Sequence, residues 1–291
     1  MELSIIVPIS DMAGKLDLLK EWLQETYSEY IEVFLIHDKK DEGTSIELKN
    51  LERSIKKLNI NASLFFLECE VNSPGLARNV GLQKAKGKWI IFWDSDDKPN
   101  FPVAMRNLRI LDQDNDIYIF DFNNQTIIPN KTTNNFCNNS LKAMAQSPGI
   151  WRFIFSNKFL SDTKFDNLKM AEDQVFICEL LSRSPKVSFM AEFIYTYIKG
   201  NEGQLTNNSK AKEDIFIAIT KIIDLLKKKE ITNREVIFVM LIKLLYSNMK
   251  YNKNSSAIKS LIRFLYWLTI SKLANKIAFI KALTYVVNEH L

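Results

Sequence analysis

Five consecutive apolar residues, Trp89–Trp93, run straight into Asp94, Ser95, Asp96 and Asp97. A run this short and this apolar fits a strand buried on both faces, the kind found inside parallel sheets flanked by helices. Its abrupt polar end matters because open α/β sheets bind their ligands outside the carboxyl ends of their strands. Three carboxylates within four residues repel one another unless a cation or hydrogen-bond donors offset the charge. Oxygen donors at this density suit Mg²⁺ or Mn²⁺, which shares its shell with substrate phosphates. The plain alternative is a solvated turn that caps a helix.

The surrounding sequence agrees with a parallel sheet, since the first 120 residues alternate between two hydrophobic periods. The pattern predicts strands over Leu3–Ile9, Ile31–His37, Ala62–Leu67, Trp89–Trp93 and Asp116–Phe122. Helical spacing is predicted over Leu16–Glu25, Ser45–Leu58 and Gly75–Ala85. Gly75, Gly81 and Gly87 fit turn and close-packing positions, because neither a GK[ST] loop nor a GxGxxG fingerprint is present. His37 ends a buried strand and is expected to be structural.

Composition narrows the chemistry. With 46% apolar and 25% charged residues, a chain of 291 residues builds an ordinary core, which excludes a disordered or fibrous class. The three cysteines, Cys69, Cys137 and Cys178, form no CxxC pair, and the only histidines are His37 and His290. A disulfide framework and a structural zinc site are therefore not expected, and any metal is held by oxygen. No secretory signal opens the sequence and no window approaches the roughly 20 apolar residues of a membrane span. The expectation is a cytoplasmic protein, soluble or peripheral on the inner face of the cell membrane.

Charge divides the chain. Residues 210–291 carry 15 Lys and Arg against 6 Asp and Glu, a balance of +9, whereas residues 1–209 hold 24 against 28, a balance of −4. Between them Lys199–Lys212, KGNEGQLTNNSKAK, is the best boundary signal. Two domains are expected, an α/β domain over 1–205 and a basic helical region over 210–291, with helices at 213–229, 234–251 and 256–288, the last broken near Thr269–Ser271. The stretch Asn123–Asn139, with 7 Asn in 17 residues, is predicted to be a loop. A helix is predicted at Glu172–Ser182, with strands near Val187–Phe189 and Phe193–Ile198.

The segment NSPGLARNVGLQKAKGKWIIFWDSDD, preceded by strands ending in VPIS and in an Asp, resembles the inverting family 2 glycosyltransferases of bacterial surface polysaccharides. Their pattern is NxGxxxARNxGxxxAxGxxxxFxDxDD, and Asn72, Gly75, Ala77, Arg78, Asn79, Gly81, Ala85, Gly87, Phe92, Asp94, Asp96 and Asp97 match it. The resemblance implies an α/β GT-A (Rossmann-like) nucleotide-sugar-binding domain followed by the C-terminal helical region. It implies Mn²⁺ or Mg²⁺ held by Asp96 and Asp97, and ribose contacts from Asp94 or Asp96. It also implies a nucleotide-sugar donor site that takes in Pro8, Ser10, Asp38, Arg78, Trp151 and Lys199. Asp38 would meet the uracil edge, although HDKKDEGT departs from the usual DDGSxD there. Trp151 lies in GIWRFIFSNKF and either stacks on a sugar or fills the core. Lys199 stands where Arg is usual and would reach the diphosphate or remain a solvated loop lysine.

Inversion by direct displacement needs a carboxylate to take the acceptor's proton. In AEDQVF the resemblance makes Asp173 that base and Glu172 a neighbour orienting the acceptor; acidic residues also favour a helix start by themselves. The expected acceptor is a glycan or lipid-linked oligosaccharide. The basic helices beyond Leu241 suit an anionic membrane surface, a homodimer contact or a cap on the catalytic domain, and no motif for nucleic acid accompanies them. Two rivals remain at this point: a sugar-phosphate nucleotidyltransferase, and a non-catalytic glycan- or lipid-binding module on the same fold.

Overall fold

The computed structural model describes residues 1–9, 16–25, 30–38, 49–50, 52–53, 63–127, 130–200, 211–251 and 255–288. The chain divides into two compact units. The first comprises Met1–Cys137, Ile150–Lys164 and Lys186–Gly203; the second comprises Asn138–Gly149, Phe165–Pro185 and Gln204–Leu291. The boundary expected between 205 and 210 falls outside the described residues. Within them the chain passes between the units more than once, so the segment bearing Glu172 and Asp173 belongs to the second unit.

The first unit is built on one sheet. Its strands are β1 (Leu3–Ile9), β2 (Ile31–Asp38), β3 (Ser63–Cys69), β4 (Trp89–Phe92), β5 (Lys98–Pro99), β6 (Ile117–Thr126), β7 (Lys131–Asn135), β8 (Phe153–Ser156) and β9 (Val187–Lys199). The order is β3-β2-β1-β4-β8-β6-β9-β5, with β7 added on β6. Strands β3, β2, β1 and β4 run parallel, with Ile6 of β1 in register with both Phe34 and Phe92. β1 and β2 are buried almost throughout, as continuous β-branched runs require. Helices α1 (Leu16–Gln24) and α2 (Pro74–Leu82) follow β1 and β3. Leu19, Trp22 and Leu23 of α1 join the core with Trp93, whose ring meets Trp22 edge-on at 5.7 Å.

Gly81 and Gly87 work as the sequence predicts. A Cβ at Gly81 would lie 2.7 Å from Ile6 and 3.0 Å from Ile36, so only glycine lets α2 lie this close to β1 and β2. A Cβ at Gly87 would lie 2.5 Å from the Ser4 backbone nitrogen. Gly87 donates its N–H to Ser4 Oγ at 2.8 Å and to Glu32 Oε1 at 3.1 Å, and Ser4 Oγ donates to the same carboxylate at 2.6 Å. A buried polar knot thus fixes the start of β4 beside β1 and β2. Glu32, hidden inside IEVFLIH, is buried because three donors satisfy it, Lys86 N–H at 2.5 Å included.

Two expectations are corrected. The Asn-rich stretch is not a plain loop: β6 extends to Thr126, and Lys131–Asn135 returns beside it, Phe122 opposite Asn135 and Thr126 opposite Lys131. KTTNN is an exposed edge strand, so it lacks the apolar alternation that marks a half-buried one. The strands near Val187–Phe189 and Phe193–Ile198 are one strand, β9, whose pairing with β6 shifts register around Asp121. The helix predicted at Ser45–Leu58 lies almost wholly outside the described residues.

The second unit is helical: α3 (Leu141–Gln146), α4 (Glu172–Leu181), α5 (Asp214–Leu226), α6 (Arg234–Tyr251), α7 (Ser255–Ile270) and α8 (Leu273–Asn288). The break expected near Thr269–Ser271 separates α7 from α8. Phe238 of α6 meets Trp267 of α7 and Phe279 of α8, and Phe264 meets Phe279 at 5.3 Å, an aromatic cluster that joins these three helices. Among the described residues no helix is long and apolar enough to cross a membrane.

Candidate functional site

Parallel pairing delivers the carboxyl ends of β1, β2 and β4 to one edge of the sheet. Trp93 N–H still bonds Ile6 at 3.1 Å, and the chain then leaves the ladder, so Asp94 emerges near the level of Pro8. Pro8 is half-buried and Asp38, two residues beyond Ile36, ends β2. Ser10 lies outside the described residues.

Each carboxylate of the acidic turn has a different environment. Asp94 Oδ1 meets Arg78 Nη2 of α2 at 2.7 Å, with the Asp94 side chain 27% exposed and that of Arg78 only 5%. Ser73 caps α2, Pro74 starts it, and this rigid start aims Arg78 back at the end of β4. Asp96 is half-buried at the surface of the turn. Asp97 is wholly buried: Oδ1 accepts the Ile198 N–H at 2.7 Å and Oδ2 accepts the Tyr195 hydroxyl at 2.8 Å. Burial first, then the neighbouring charges of Asp96 and Asp94, push the Asp97 carboxyl well above the usual range. Asp97 is expected beside Asp96 at a metal ion; in the structure each of its oxygens accepts a hydrogen bond from β9.

Tyr195 is the residue that sequence reasoning misses. Its hydroxyl also accepts the Asp94 backbone N–H at 3.1 Å, so β9 grips the acidic turn at two points. Only the tyrosine-rich IYTYIKG pointed toward it. The same strand carries Lys199 one residue beyond Ile198, exposed, with Nζ 5.9 Å from the Tyr197 ring centre. Trp151 stacks on Tyr195 at 4.7 Å and meets Phe122 edge-on at 4.4 Å. At 8% exposed it packs in the core cluster of the first unit.

Asp38 is 9% exposed and its Oδ2 accepts the N–H of Asn72, a residue held in the left-handed region at φ 49°. The loop after β3 is thereby folded back onto the end of β2. Burial and the Asp38 charge beside it push the Cys69 thiol up to about 11.

Glu172 and Asp173 open α4 in the second unit. Ala171 precedes them in the left-handed region, φ 64°, which turns the chain sharply into the helix. Glu172 is buried, and Asp173 Oδ1 accepts the Gln174 N–H at 2.7 Å. Behind them α4 is buried along most of its length, from Val175 to Leu181.

Among the described residues no three His, Cys, Asp or Glu side chains are gathered into a ready-made metal cage. Mg²⁺ and Mn²⁺ need no such cage when one or two carboxylates share the ion with substrate phosphates. The donor set therefore fits such an ion: Asp96 at the surface of the turn, with the partly exposed Asp94 two residues away.

Residues 4–169, more than half of the chain, match the model of glycosyl transferase family 2. The chain belongs to this family. Relatives include a poly(ribitol-phosphate) β-N-acetylglucosaminyltransferase, TarS, of Staphylococcus aureus, 24% identical over 236 residues that span 77% of this chain and 40% of the relative. A poly(ribitol-phosphate) β-glucosyltransferase of Bacillus spizizenii is 26% identical over 82% of this chain and 39% of its own length. The chain thus spans about two fifths of the curated relatives it matches. The crystal structure of S. aureus TarS 1–349 with UDP-GlcNAc superimposes with a TM-score of 0.65 at 19% identity, over 97% of this chain and 79% of that one. The Pyrobaculum calidifontis mannosyltransferase PcManGT with GDP-Man and Mn²⁺ gives 0.58 at 13% identity, over 97% and 86%. These likenesses show the GT-A fold, an α/β domain followed by C-terminal helices.

Proposed function

We propose that this chain transfers a sugar from a nucleotide-sugar, UDP-linked, to a hydroxyl of a glycan or lipid-linked oligosaccharide during synthesis of a bacterial surface polysaccharide. The observation that carries this reading is the Arg78–Asp94 pair beside Asp96 at the carboxyl edge of the parallel strands, within the segment that matches the family. The relatives named for poly(ribitol-phosphate) support a polyol-phosphate polymer as the acceptor class, and the TarS complex with UDP-GlcNAc supports a UDP-linked donor.

The roles are those that the family resemblance implies. Pro8 and Asp38 border the nucleoside, with Asp38 toward the base, and the resemblance adds Ser10, outside the described residues. Arg78, rigid on α2, holds Asp94 toward the ribose hydroxyls. Asp96 is the residue to hold Mn²⁺ or Mg²⁺, which when bound neutralises the departing diphosphate. Lys199 offers a further positive charge to that diphosphate. Asp173 takes the proton of the acceptor hydroxyl as the hydroxyl oxygen bonds to the anomeric carbon. The bond from that carbon to the donor phosphate breaks, and its electron pair leaves with the nucleoside diphosphate. Glu172 orients the acceptor. The catalytic domain in this reading covers 1–205 and the basic helical region 210–291.

The test is a product assay with UDP-sugars and a poly(ribitol phosphate) acceptor in the presence of Mn²⁺. UDP release that depends on the acceptor is expected. Pyrophosphate release from a sugar phosphate and a nucleoside triphosphate would assign nucleotidyl transfer instead. Tight nucleotide-sugar binding without turnover on any glycan acceptor would leave a binding module.

A further inference from the structure

Single exposed apolar side chains are normal, but ten large ones fall between Ile258 and Val287 of the second unit. They follow helical spacing. In α7 the buried face carries Ser260, Phe264 and Trp267, and the opposite face presents Ile258 at 63%, Ile262 at 61% and Tyr266 at 67% exposed. In α8 the buried face carries Asn275, Ala278 and Ala282, while Leu273, Ile277 and Ile280 face outward. The inward faces are already used against α6. The outward ones form second apolar stripes that are exposed among the described residues.

Charge identifies what covers them. From Val236 to Asn288 there are eight Lys and Arg and no Asp or Glu. At 100° per residue Lys259 and Arg263 border the stripe of α7 and Lys276 that of α8, with Lys272 just before the start of α8. A two-fold contact between copies of this chain would set these cations against their own counterparts with no carboxylate on either helix to meet them. An anionic lipid surface offsets the charge and takes the apolar side chains into the acyl boundary.

We propose that α7 and α8 lie in the interface of an anionic phospholipid bilayer, Ile262 and Ile280 dipping into it and Lys259, Arg263, Lys272 and Lys276 on lipid phosphates. This surface is independent of the transfer chemistry, because none of its residues belongs to the donor site or the base.

The test is flotation of the full chain with phosphatidylcholine vesicles and with vesicles that also contain phosphatidylglycerol. Binding to the phosphatidylglycerol vesicles alone, weakened by salt, is expected. Ile262→Glu and Ile280→Glu each lower it about ten-fold or more, and Lys259→Gln and Arg263→Gln about five-fold each. These side chains are exposed, so the variants keep the wild-type melting temperature and UDP release on a soluble acceptor. Wild-type protein that leaves phosphatidylglycerol vesicles unbound overturns the proposal. So does a dimer in solution that Ile262→Glu dissociates while vesicle binding persists, since the stripe then belongs to a second copy.

Discussion

Tyr195 donates its hydroxyl to Asp97 at 2.8 Å, joining the middle of β9 to the acidic turn after β4 across 98 positions of sequence. The same oxygen accepts the Asp94 backbone N–H, so the two residues that bracket Asp96 share one anchor. Tyr195→Phe keeps the ring stacked on Trp151 and removes only that anchor. A buried carboxyl losing a donor costs about 1–3 kcal/mol, which appears as a melting temperature a few degrees lower. An unchanged melt would mean that the turn holds itself.

Asp96 and Asp97 are neighbours with different expected roles, and amide substitutions separate them. Asp96→Asn is expected to abolish the extra stabilisation that Mn²⁺ gives in the presence of UDP, read by thermal shift. Asp97→Asn keeps a carbonyl for the Ile198 N–H and should retain the Mn²⁺ response, with a lower starting melt. Equal loss of the metal response in both variants returns Asp97 to the ion.

The parallel strands were legible in sequence because their inward and outward faces are both buried, which leaves uninterrupted runs such as Leu3–Ile9 and Trp89–Phe92. The acidic turn was legible for the complementary reason, as polar residues following such a run lie at a strand end. Arg78 was legible as a donor-site residue, but its pairing with Asp94 depends on the angle of α2, which Gly81 sets by close packing. Pairings between distant segments were not legible: nothing local to Tyr195 marks it as the partner of Asp97. The β7 strand escaped notice because an exposed edge needs no hydrophobic period. Trp151 shows a further limit, since an aromatic in a sugar-binding family fits core and ligand site equally until its neighbours are known.

Cys69 reports on the Asp38 charge. Its thiol is pushed from 9.0 up to about 11 by burial and by the Asp38 charge, so at pH 8 its thiolate fraction is about 100-fold below that of an ordinary thiol. Cys137 and Cys178 are buried, which leaves Cys69 as the half-exposed cysteine to follow by alkylation and peptide mapping. Asp38→Asn removes the second cause and should speed alkylation of Cys69 several-fold. The sign for stability is set by the same shift: the folded state favours the neutral thiol, so this contribution is full below pH 9 and fades as pH rises through about 11. An Asp38→Asn variant that reacts no faster would show that burial alone governs the thiol.

Asp173 tests the chemistry itself. As the second residue of α4 it favours the helix start whether or not it removes a proton, so loss of fold and loss of catalysis must be told apart. Asp173→Asn preserves an oxygen for the Gln174 N–H and therefore the helix, while removing the basic carboxylate. The expected result is an unchanged melting temperature and unchanged UDP-sugar affinity, with kcat lower by about 10²–10⁴. Glu172 is buried behind it, and Glu172→Gln should raise the acceptor KM more than it lowers kcat if its part is to orient the acceptor. Normal turnover by Asp173→Asn would remove Asp173 as the base and leave it a structural role only, because a helix start stabilised by an acid needs no catalytic explanation.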